Sequence, residues 1–330
     1  MCRAAVAAMI LAVSGMSLAA ASTIAINEDF SSDPSSRWSV LGDPALFVWN
    51  STAQNLEVQW DSSRPQSFFH WPIGRALTRL DSFSFELDLV LNEFFGGHEP
   101  GKFWGMQIAV GFLDDSATNA WFCRPDGSAR DVFEINCYPP DYPTIAPSLI
   151  SSGTNYAFKY QSEYTMEFPL NTVVHLSMQY DAELQCLNAV WTTNGVVLGV
   201  PHTFRLANPD VSNFGEADDY EVRMFSISNY RSNEAGDWGC SVFARGVVDN
   251  VRVTIPPRSP VSFLRYDLTQ HPRTVTFRSL QDYTYALERS EDFLNWSPVV
   301  ENVPGTGGDI IMADTDAPAD RAFYRVRASK

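Results

Sequence analysis

The chain has 330 residues, of which 45% are hydrophobic and 13% are aromatic. This composition excludes a disordered, collagen-like or coiled-coil protein, and the length predicts two domains or one large β domain with an appendage. The formal net charge of −16 also argues against nucleic acid as a partner, because a polyanion is repelled from such a surface.

The first 21 residues have the pattern of a secretory signal. Arg3 supplies a minimal positive charge, residues 4–13 are apolar, and three alanines at 19–21 form a small-residue cleavage site. No later segment approaches about 18 uninterrupted apolar residues, so no membrane insertion is expected. The sequence therefore predicts a signal peptide at 1–21 and a protein that is secreted or held at the cell surface.

Four cysteines follow the predicted signal: Cys123, Cys137, Cys186 and Cys240. In an oxidising compartment an even count permits two disulfides, with three possible connectivities and Cys123 with Cys137 as the local pair. Four buried thiols that behave as small hydrophobic residues are the alternative. The pairing stays open at the level of sequence.

Alternation of apolar and polar residues dominates the chain after residue 22 and predicts β-strands with one buried face. The runs, in chain order, are residues 56–60, 83–89, 106–112, 174–180, 187–191, 196–198 and 251–255. Asn194-Gly195 predicts a tight hairpin between the fifth and sixth runs. Gly, Pro, Asn and Asp separate the runs, so the fold class expected for residues 22–255 is an all-β, antiparallel jelly-roll sandwich.

A proline-rich segment at 256–260 interrupts the pattern and predicts an extended linker. Residues 261–330 then contain three more strand-like runs, at 274–277, 283–287 and 324–326. These runs are enough for a small second β-sandwich. Residues 257–330 carry 9 basic and 10 acidic side chains, so nearly all the excess acidity belongs to the larger domain.

Two stretches carry a family likeness. The larger domain begins with Glu28-Asp29-Phe30 followed by Trp38, and it ends with residues 246–253, which read GVVDNVRV. This framing resembles the concanavalin A-like, laminin G and glucanase type of jelly roll in secreted bacterial proteins. Residues 285–290 and 323–326 (YALERS and FYRV) resemble a small immunoglobulin- or fibronectin-like module that recurs at the C-termini of such proteins. A fold does not fix an activity.

The resemblance implies one candidate catalytic set. Glucanases of this kind carry Glu-x-Asp-x-x-Glu or Glu-x-Asp-x-Glu on one strand, so that the carboxylates face a single glycosidic bond. Glu86 and Asp88 match the first two positions, whereas Val90 and Leu91 stand where the third acid belongs. Glu93 could replace that acid only if a bulge turned it toward the other two. Solvent-facing strand carboxylates are the simpler interpretation, and Asp131 with Glu134 is a second, weaker pair of the same kind.

Aromatic side chains suggest a binding surface instead. Sugar rings stack on Trp or Tyr while polar side chains bind the hydroxyls. The loop at 94–104 combines glycines, aromatics and ionisable groups, so it is the best single candidate. The predicted ligand-binding residues are Trp104, Phe103, Trp71, Trp121 and Trp60, although core positions would also account for tryptophans.

Calcium is the predicted cofactor. Jelly rolls of the resembled type often hold one such ion between their entry and exit strands, and on that likeness Glu28, Asp29 and Asp249 would be its ligands. An acidic segment at 208–219 is an alternative.

Motifs for hydrolases with a nucleophile elbow, for phosphate-binding loops and for dinucleotide sites are absent from the sequence. The function expected is therefore that of an exported, non-catalytic protein whose jelly roll binds a polysaccharide or cell-surface glycan. A divergent glycoside hydrolase using Glu86, Asp88 and Glu93, and a structural adhesion protein, are the alternatives. The sequence leaves the oligomeric state open.

Overall fold

The computed structural model describes residues 10–14, 23–114, 131–141, 144–151, 157–160, 163–164, 166–206, 212–214, 220–232, 239–267, 271–318 and 321–330. The chain divides into two compact units. One comprises Thr23–Pro256, and the other comprises Pro257–Lys330 together with Met1–Ser22.

Strands make up the regular structure of the described residues, and no α-helix occurs among them. In chain order they are β1 (Ile10–Ser14), β2 (Ile24–Glu28), β3 (Ser39–Leu41), β4 (Phe47–Asn50), β5 (Asn55–Asp61), β6 (Ser67–Leu77), β7 (Phe83–Gly96), β8 (Trp104–Gly105), β9 (Ile108–Leu113), β10 (Val132–Cys137), β11 (Thr144–Ser151), β12 (Ala157–Tyr160), β13 (Glu163–Tyr164), β14 (Val174–Asp181), β15 (Cys186–Thr193), β16 (Val196–Val197), β17 (His202–Arg205), β18 (Ser212–Phe214), β19 (Val222–Asn229), β20 (Cys240–Ile255), β21 (Val261–Asp267), β22 (Arg273–Ser279), β23 (Thr284–Ser290), β24 (Ser297–Pro304), β25 (Asp309–Asp314) and β26 (Phe323–Ser329).

Short 3₁₀ helices at Pro34–Ser36 and Pro44–Leu46 precede β3 and β4. Each follows an aspartate, Asp33 or Asp43, whose carboxylate accepts a hydrogen bond from the backbone N–H two residues on. Such side chains satisfy backbone donors that a helix start leaves unpaired.

Two sheets form the larger unit. The ten-stranded sheet runs β16-β15-β14-β7-β20-β5-β4, with β17 on β15 and with β2 and β8 on β20. The nine-stranded sheet runs β18-β12-β11-β10-β9-β19-β6-β3, with β13 on β11. The described strands pair antiparallel, apart from β8 with β20 and, in the other unit, β1 with β26. The all-β antiparallel sandwich predicted from the alternation is thus confirmed.

The core lies between the two sheets. Phe83 and Phe85 of β7 meet Phe133 of β10 and Phe225 of β19, with ring centroids 5.1 and 5.2 Å apart. These rings are buried, and side chains from most strands of both sheets join the same hydrophobic cluster. Burial of this apolar surface is the dominant favourable term in folding.

β7 shows most directly how the sequence sets the two faces. Its odd-numbered residues from Phe83 to Leu91 are buried, whereas the even-numbered residues between them are partly exposed. A bulge then interrupts the strand, because Arg245 pairs with Glu93 while Gly246 pairs with Leu91 and Asn92 has no opposite residue. Side chains on the side of this sheet away from the core face solvent, and we call that side the outer face.

The hairpin predicted at 192–195 is also confirmed. It joins β15 to β16, and Asn194 and Gly195 both adopt positive φ angles, of 49° and 75°. Asparagine and glycine are the residues that tolerate this backbone conformation best.

The second unit has its own core. Its sheets are β1-β26-β23-β24 and β21-β22-β25, and its buried cluster includes Phe277, Tyr285, Leu287 and Val326. Asp314 is buried beside this cluster, where it accepts hydrogen bonds from the Arg289 guanidinium and from Tyr324 Oη at 2.8 Å. Burial, and then the hydrogen bond to Asp314, raise the pKa of Tyr324 to about 12.

Candidate functional site

An exposed aromatic pair stands at one end of the larger unit. The segment Phe94 to Trp104, which we call the aromatic loop, joins β7 to β8. At its end Phe103 is 78% exposed and Trp104 is 61% exposed. Each of these consecutive, largely exposed rings offers an apolar face of the kind on which sugar rings stack. The structure thus places two of the five predicted binding residues together and in contact with solvent.

Backbone hydrogen bonds fix the aromatic pair. The N–H groups of Phe103 and Trp104 both donate to the carbonyl oxygen of Gly239, at 2.7 and 2.9 Å. Met106 N and Gly97 N donate to Ser241 O, which extends the attachment along β20. The rings are therefore presented by a loop that is tied to a central strand, and a fixed loop loses less conformational entropy on binding than a free one.

A partly buried carboxylate anchors the middle of the loop. Glu99 accepts hydrogen bonds from Ser62 Oγ at 2.6 Å and from Ser232 Oγ at 2.8 and 2.9 Å, and Lys102 Nζ lies 3.5 Å from it. Next to it, His98 Nε2 lies 3.2 Å from Asp61 Oδ1. Hydrogen bonds to a charged group are stronger than those between neutral groups. Glu99 therefore attaches the loop to Ser62 and Ser232, which are distant in sequence.

Asp141 lies against glycines at the two ends of the aromatic loop, and sequence reasoning missed it. This exposed residue follows β10, and its carboxylate lies against Gly96 and Gly105. A Cβ atom on either glycine would come within 2.6 to 2.8 Å of Asp141 Oδ1. Glycine at both positions therefore permits the close approach. The only sequence signal was the turn-forming Pro139-Pro140-Asp141.

The other predicted binding residues have different roles. Trp60 is 2% exposed and lies on the core side of β5, so its prediction as a binding platform was wrong. Trp71 is partly buried and packs edge-on against Trp38, with ring centroids 5.7 Å apart, so it too belongs to the core. Trp121 lies outside the described residues.

The candidate catalytic carboxylates lie on the outer face of the ten-stranded sheet. Asp88 accepts from Asn250 Nδ2 at 2.8 Å and lies 2.9 Å from His175 Nδ1, while Glu86 lies 3.3 Å from Arg252. Glu93 lies opposite Arg245 in the ladder, whereas Asp88 lies opposite Asp249, four positions further along β20. Glu93 and Asp88 are therefore separated by roughly 13 Å along the strand. Even with the bulge, Glu93 is about 20 Å from Glu86, whereas paired glycosidase carboxylates are about 5 to 10 Å apart. The structure does not bring the three together.

Asp249 is a further carboxylate of this outer-face cluster, and its pKa is raised. Partial burial raises its pKa, and the nearby carboxylates of Asp88 and Asp29 raise it further. A hydrogen bond from Asn250 N opposes this effect. Like charges in close proximity disfavour the ionised form, so Asp249 is destabilising when charged.

Of the three predicted calcium ligands, Glu28 is not available to an ion. Glu28 is buried, and its two oxygens accept from the Arg37 guanidinium, from Trp38 Nε1 at 3.0 Å and from Phe30 N at 3.1 Å. A carboxylate so fully engaged has no geometry left for a metal, so the Glu28 prediction was wrong. Within the described part of the chain, no group of three or more His, Cys, Asp or Glu residues is arranged to hold a metal ion.

A row of polar residues lies on the side of the nine-stranded sheet away from the core. Glu134 and Asn136 of β10 are both fully buried there. Glu134 accepts from Tyr230 Oη at 2.6 Å and from Ser228 Oγ at 3.4 Å. Neither side chain reaches solvent, so among the described residues this row does not form an accessible surface.

The cysteines give little support to disulfides. Cys137 and Cys186 are buried free thiols, and Cys123 lies outside the described residues. Burial raises the pKa of both thiols. The predicted local pair of Cys123 with Cys137 therefore involves a residue outside the described part of the chain.

Comparisons with known proteins return plant lectins. A winged bean acidic lectin complexed with methyl-α-D-galactose is 11% identical, with 71% of this chain and 99% of that chain covered and a TM-score of 0.45. Lectin I from Ulex europaeus, in complex with the methyl glycoside of α-L-fucose, is 13% identical over 71% and 98%, with a TM-score of 0.41. Arcelin-5, a lectin-like defense protein from Phaseolus vulgaris, is 8% identical over 72% and 100%, with a TM-score of 0.38.

No family model and no curated protein matches the sequence. Among the described residues, no helix is both long and apolar enough to cross a membrane.

Proposed function

We propose that the protein is an exported glycan-binding protein and that its binding surface is the aromatic loop of the larger unit. The observation that carries the proposal is the exposure of two consecutive aromatic residues, Phe103 and Trp104, on a loop that is hydrogen-bonded to Gly239. A large apolar surface costs free energy in water unless a partner covers it, and neighbouring hydrogen-bonding groups give such a surface orientation.

The polar neighbours of the pair suit a sugar. Asp141 offers carboxylate oxygens to ring hydroxyls, and Trp104 directly precedes Gly105, against which that carboxylate lies. Stacking on the aromatic rings together with hydrogen bonds from hydroxyls is the combination by which proteins hold pyranose rings. The C-terminal unit then acts as a spacer or docking module.

The test is retention on immobilised polysaccharides and glycan arrays, comparing the wild-type chain with Trp104→Ala and Phe103→Ala. We expect at least a tenfold loss of affinity for either variant, equivalent to about 1.4 kcal/mol. Tyr266→Ala is the matched control, because Tyr266 is an exposed aromatic residue of the other unit. Absence of retention on every polymer, or binding by Trp104→Ala equal to wild type, contradicts the proposal.

Export has a separate test. Expression of the full chain with its native N-terminus, followed by mass spectrometry of the protein recovered outside the cytoplasm, should give a mature form that begins at Ser22. Recovery of the intact chain from the cytoplasm alone contradicts export.

A further inference from the structure

The outer face of the ten-stranded sheet has a groove that is separate from the aromatic loop. It has a volume of about 300 Å³ and lies between the bulge of β7 and the segment that enters β4. Protein pockets for small molecules begin at about this size. The side chains that matter to its chemistry are Val48, Glu57, Gln59, Asn92, Arg245 and Val247.

The β7 bulge shapes one wall of this groove. Asn92 is the extra residue, and it is exposed together with Glu93. On the facing strand, a Cβ on Gly246 would lie 2.2 Å from Val90 O, so only glycine permits the two strands to approach here. Bulges occur where a strand must redirect a side chain, and this one turns Asn92 into the groove wall.

Both donors and acceptors line the groove. The Arg245 guanidinium is 55% exposed in its side chain, and its one hydrogen bond among the described residues is a long one, from Nε to Gln59 Oε1 at 3.4 Å. A guanidinium has five N–H donors, so most remain available to a ligand. Glu57 is exposed and supplies carboxylate oxygens, one of which accepts from Asn50 Nδ2.

The groove also has an apolar side. Val48 and Val247 face it, and the Arg245 guanidinium lies over the Phe243 ring at 5.0 Å. Phe243 packs beside Phe95, which is 44% exposed, with ring centroids 5.3 Å apart. These aromatic rings lie two ladder positions beyond Arg245, toward the end of β7 where the aromatic loop begins.

We propose that this groove is a second saccharide subsite, which takes a neutral sugar ring, and that the ligand is an extended neutral glycan. The proposal rests on the glycan-binding function above. Neighbouring hydroxyls of a sugar can donate to Glu57 and accept from Arg245, while the C–H face of the ring packs on Val48 and Val247. An acidic sugar would gain from Arg245 but would be repelled by Glu57, by Glu93 at 3.7 Å from Arg245, and by the negatively charged chain.

The test measures affinity as a function of ligand length. Isothermal titration calorimetry would use neutral gluco- and manno-oligosaccharides of increasing length, with oligogalacturonides of the same lengths as acidic counterparts. For the wild-type chain we expect affinity to rise with length and the neutral series to bind better. Arg245→Gln should lower the affinity for long neutral oligosaccharides about tenfold and leave that for the shortest ones unchanged.

Arg252→Gln is the matched control, because Arg252 is an exposed arginine of the same strand and face that pairs with Glu86. The subsite is overturned if affinity does not depend on length, if Arg245→Gln binds like wild type, or if the acidic series binds better. If one of these outcomes occurs while Trp104→Ala still weakens binding, only the subsite is rejected and the aromatic loop remains the glycan site. No binding of any oligosaccharide overturns both proposals.

Discussion

The Arg37 guanidinium and the Glu28 carboxylate form a forked ion pair, in which Arg37 Nη2 lies 2.8 Å from Oε2 and 3.0 Å from Oε1 of Glu28. Glu28 is buried, whereas the Arg37 side chain is only partly covered. A fixed guanidinium thus provides the positive charge that this carboxylate needs at the end of β2.

The first prediction concerns this ion pair. Arg37→Met should lower the free energy of unfolding of the larger unit by about 2 to 4 kcal/mol, because it leaves a buried carboxylate without its cation. EDTA should leave the melting temperature of the wild-type chain unchanged. Calorimetry of the full chain measures both effects. Arg252→Met is the control, since Arg252 pairs with Glu86 at the surface and should contribute less than about 1 kcal/mol. A calcium-dependent rise in the wild-type melting temperature would contradict the prediction.

The second prediction concerns Asp249 and pH. Burial and the carboxylates of Asp88 and Asp29 raise its folded-state pKa above the ordinary value of 3.8. Protonated Asp249 therefore makes its full contribution to stability below pH 3.8, and this contribution is lost as the pH rises through the raised folded-state pKa. Asp249→Asn cannot ionise, so at neutral pH it should be more stable than the wild type, and the difference should vanish below pH 3.8.

Urea unfolding at a series of pH values measures this difference. Asp33→Asn is the control, and it should be less stable than the wild type at neutral pH. Hydrogen bonds from Ser35 lower the pKa of Asp33 and so favour its charged form. If Asp249→Asn is the less stable protein at neutral pH, Asp249 has a favourable partner and the prediction fails.

The third prediction separates a core tryptophan from a surface one. Trp60→Ala should cost about 3 to 5 kcal/mol of stability, because it leaves a cavity between the sheets. Trp104→Ala should change stability by no more than about 0.5 kcal/mol, since its ring is mostly in solvent. Thermal unfolding followed by calorimetry distinguishes the two. Similar losses for both variants would mean that Trp104 packs against the protein.

The fourth prediction concerns the anchor of the aromatic loop. Glu99→Ala should weaken glycan binding several-fold, because Ser62 and Ser232 lose their common acceptor and the loop loosens. Hydrogen exchange should increase at the amides of Phe103 and Trp104, which measures the loosening directly. Glu99→Gln retains one acceptor oxygen and should restore part of the binding. Glu183→Ala, at an exposed position, is the control. Unchanged exchange in Glu99→Ala would show that the backbone bonds to Gly239 suffice.

The period-2 pattern predicted the strands well, because the two faces of an antiparallel strand differ in burial. In β7 the alternation at 83–89 indicates both the strand and its buried side. The same logic applied to β5 places Trp60 on the side of Leu56 and Val58, which are buried, so its core position was readable from the sequence. The binding role predicted for Trp60 ignored its neighbours two and four residues away.

Contacts between distant segments could not be read in this way. Glu28 finds Arg37 and Trp38 through the turn that follows β2, and nothing in the sequence spacing reveals that both its oxygens are engaged. Asp141 meets Gly96 and Gly105 only because the turn after β10 folds onto the end of β7. Sequence indicated the aromatic loop as a candidate surface, but not the residues that hold it in place.

The two hydrophobic clusters have no member in common, and the division between the units falls between Pro256 and Pro257. Cleavage at that dipeptide would cut the chain outside both clusters, so each unit should retain a cooperative melt of its own. β1 would stay on the larger fragment although it pairs with β26, so transfer of the smaller unit to another protein would have to carry residues 10–14 as well as residues 257–330.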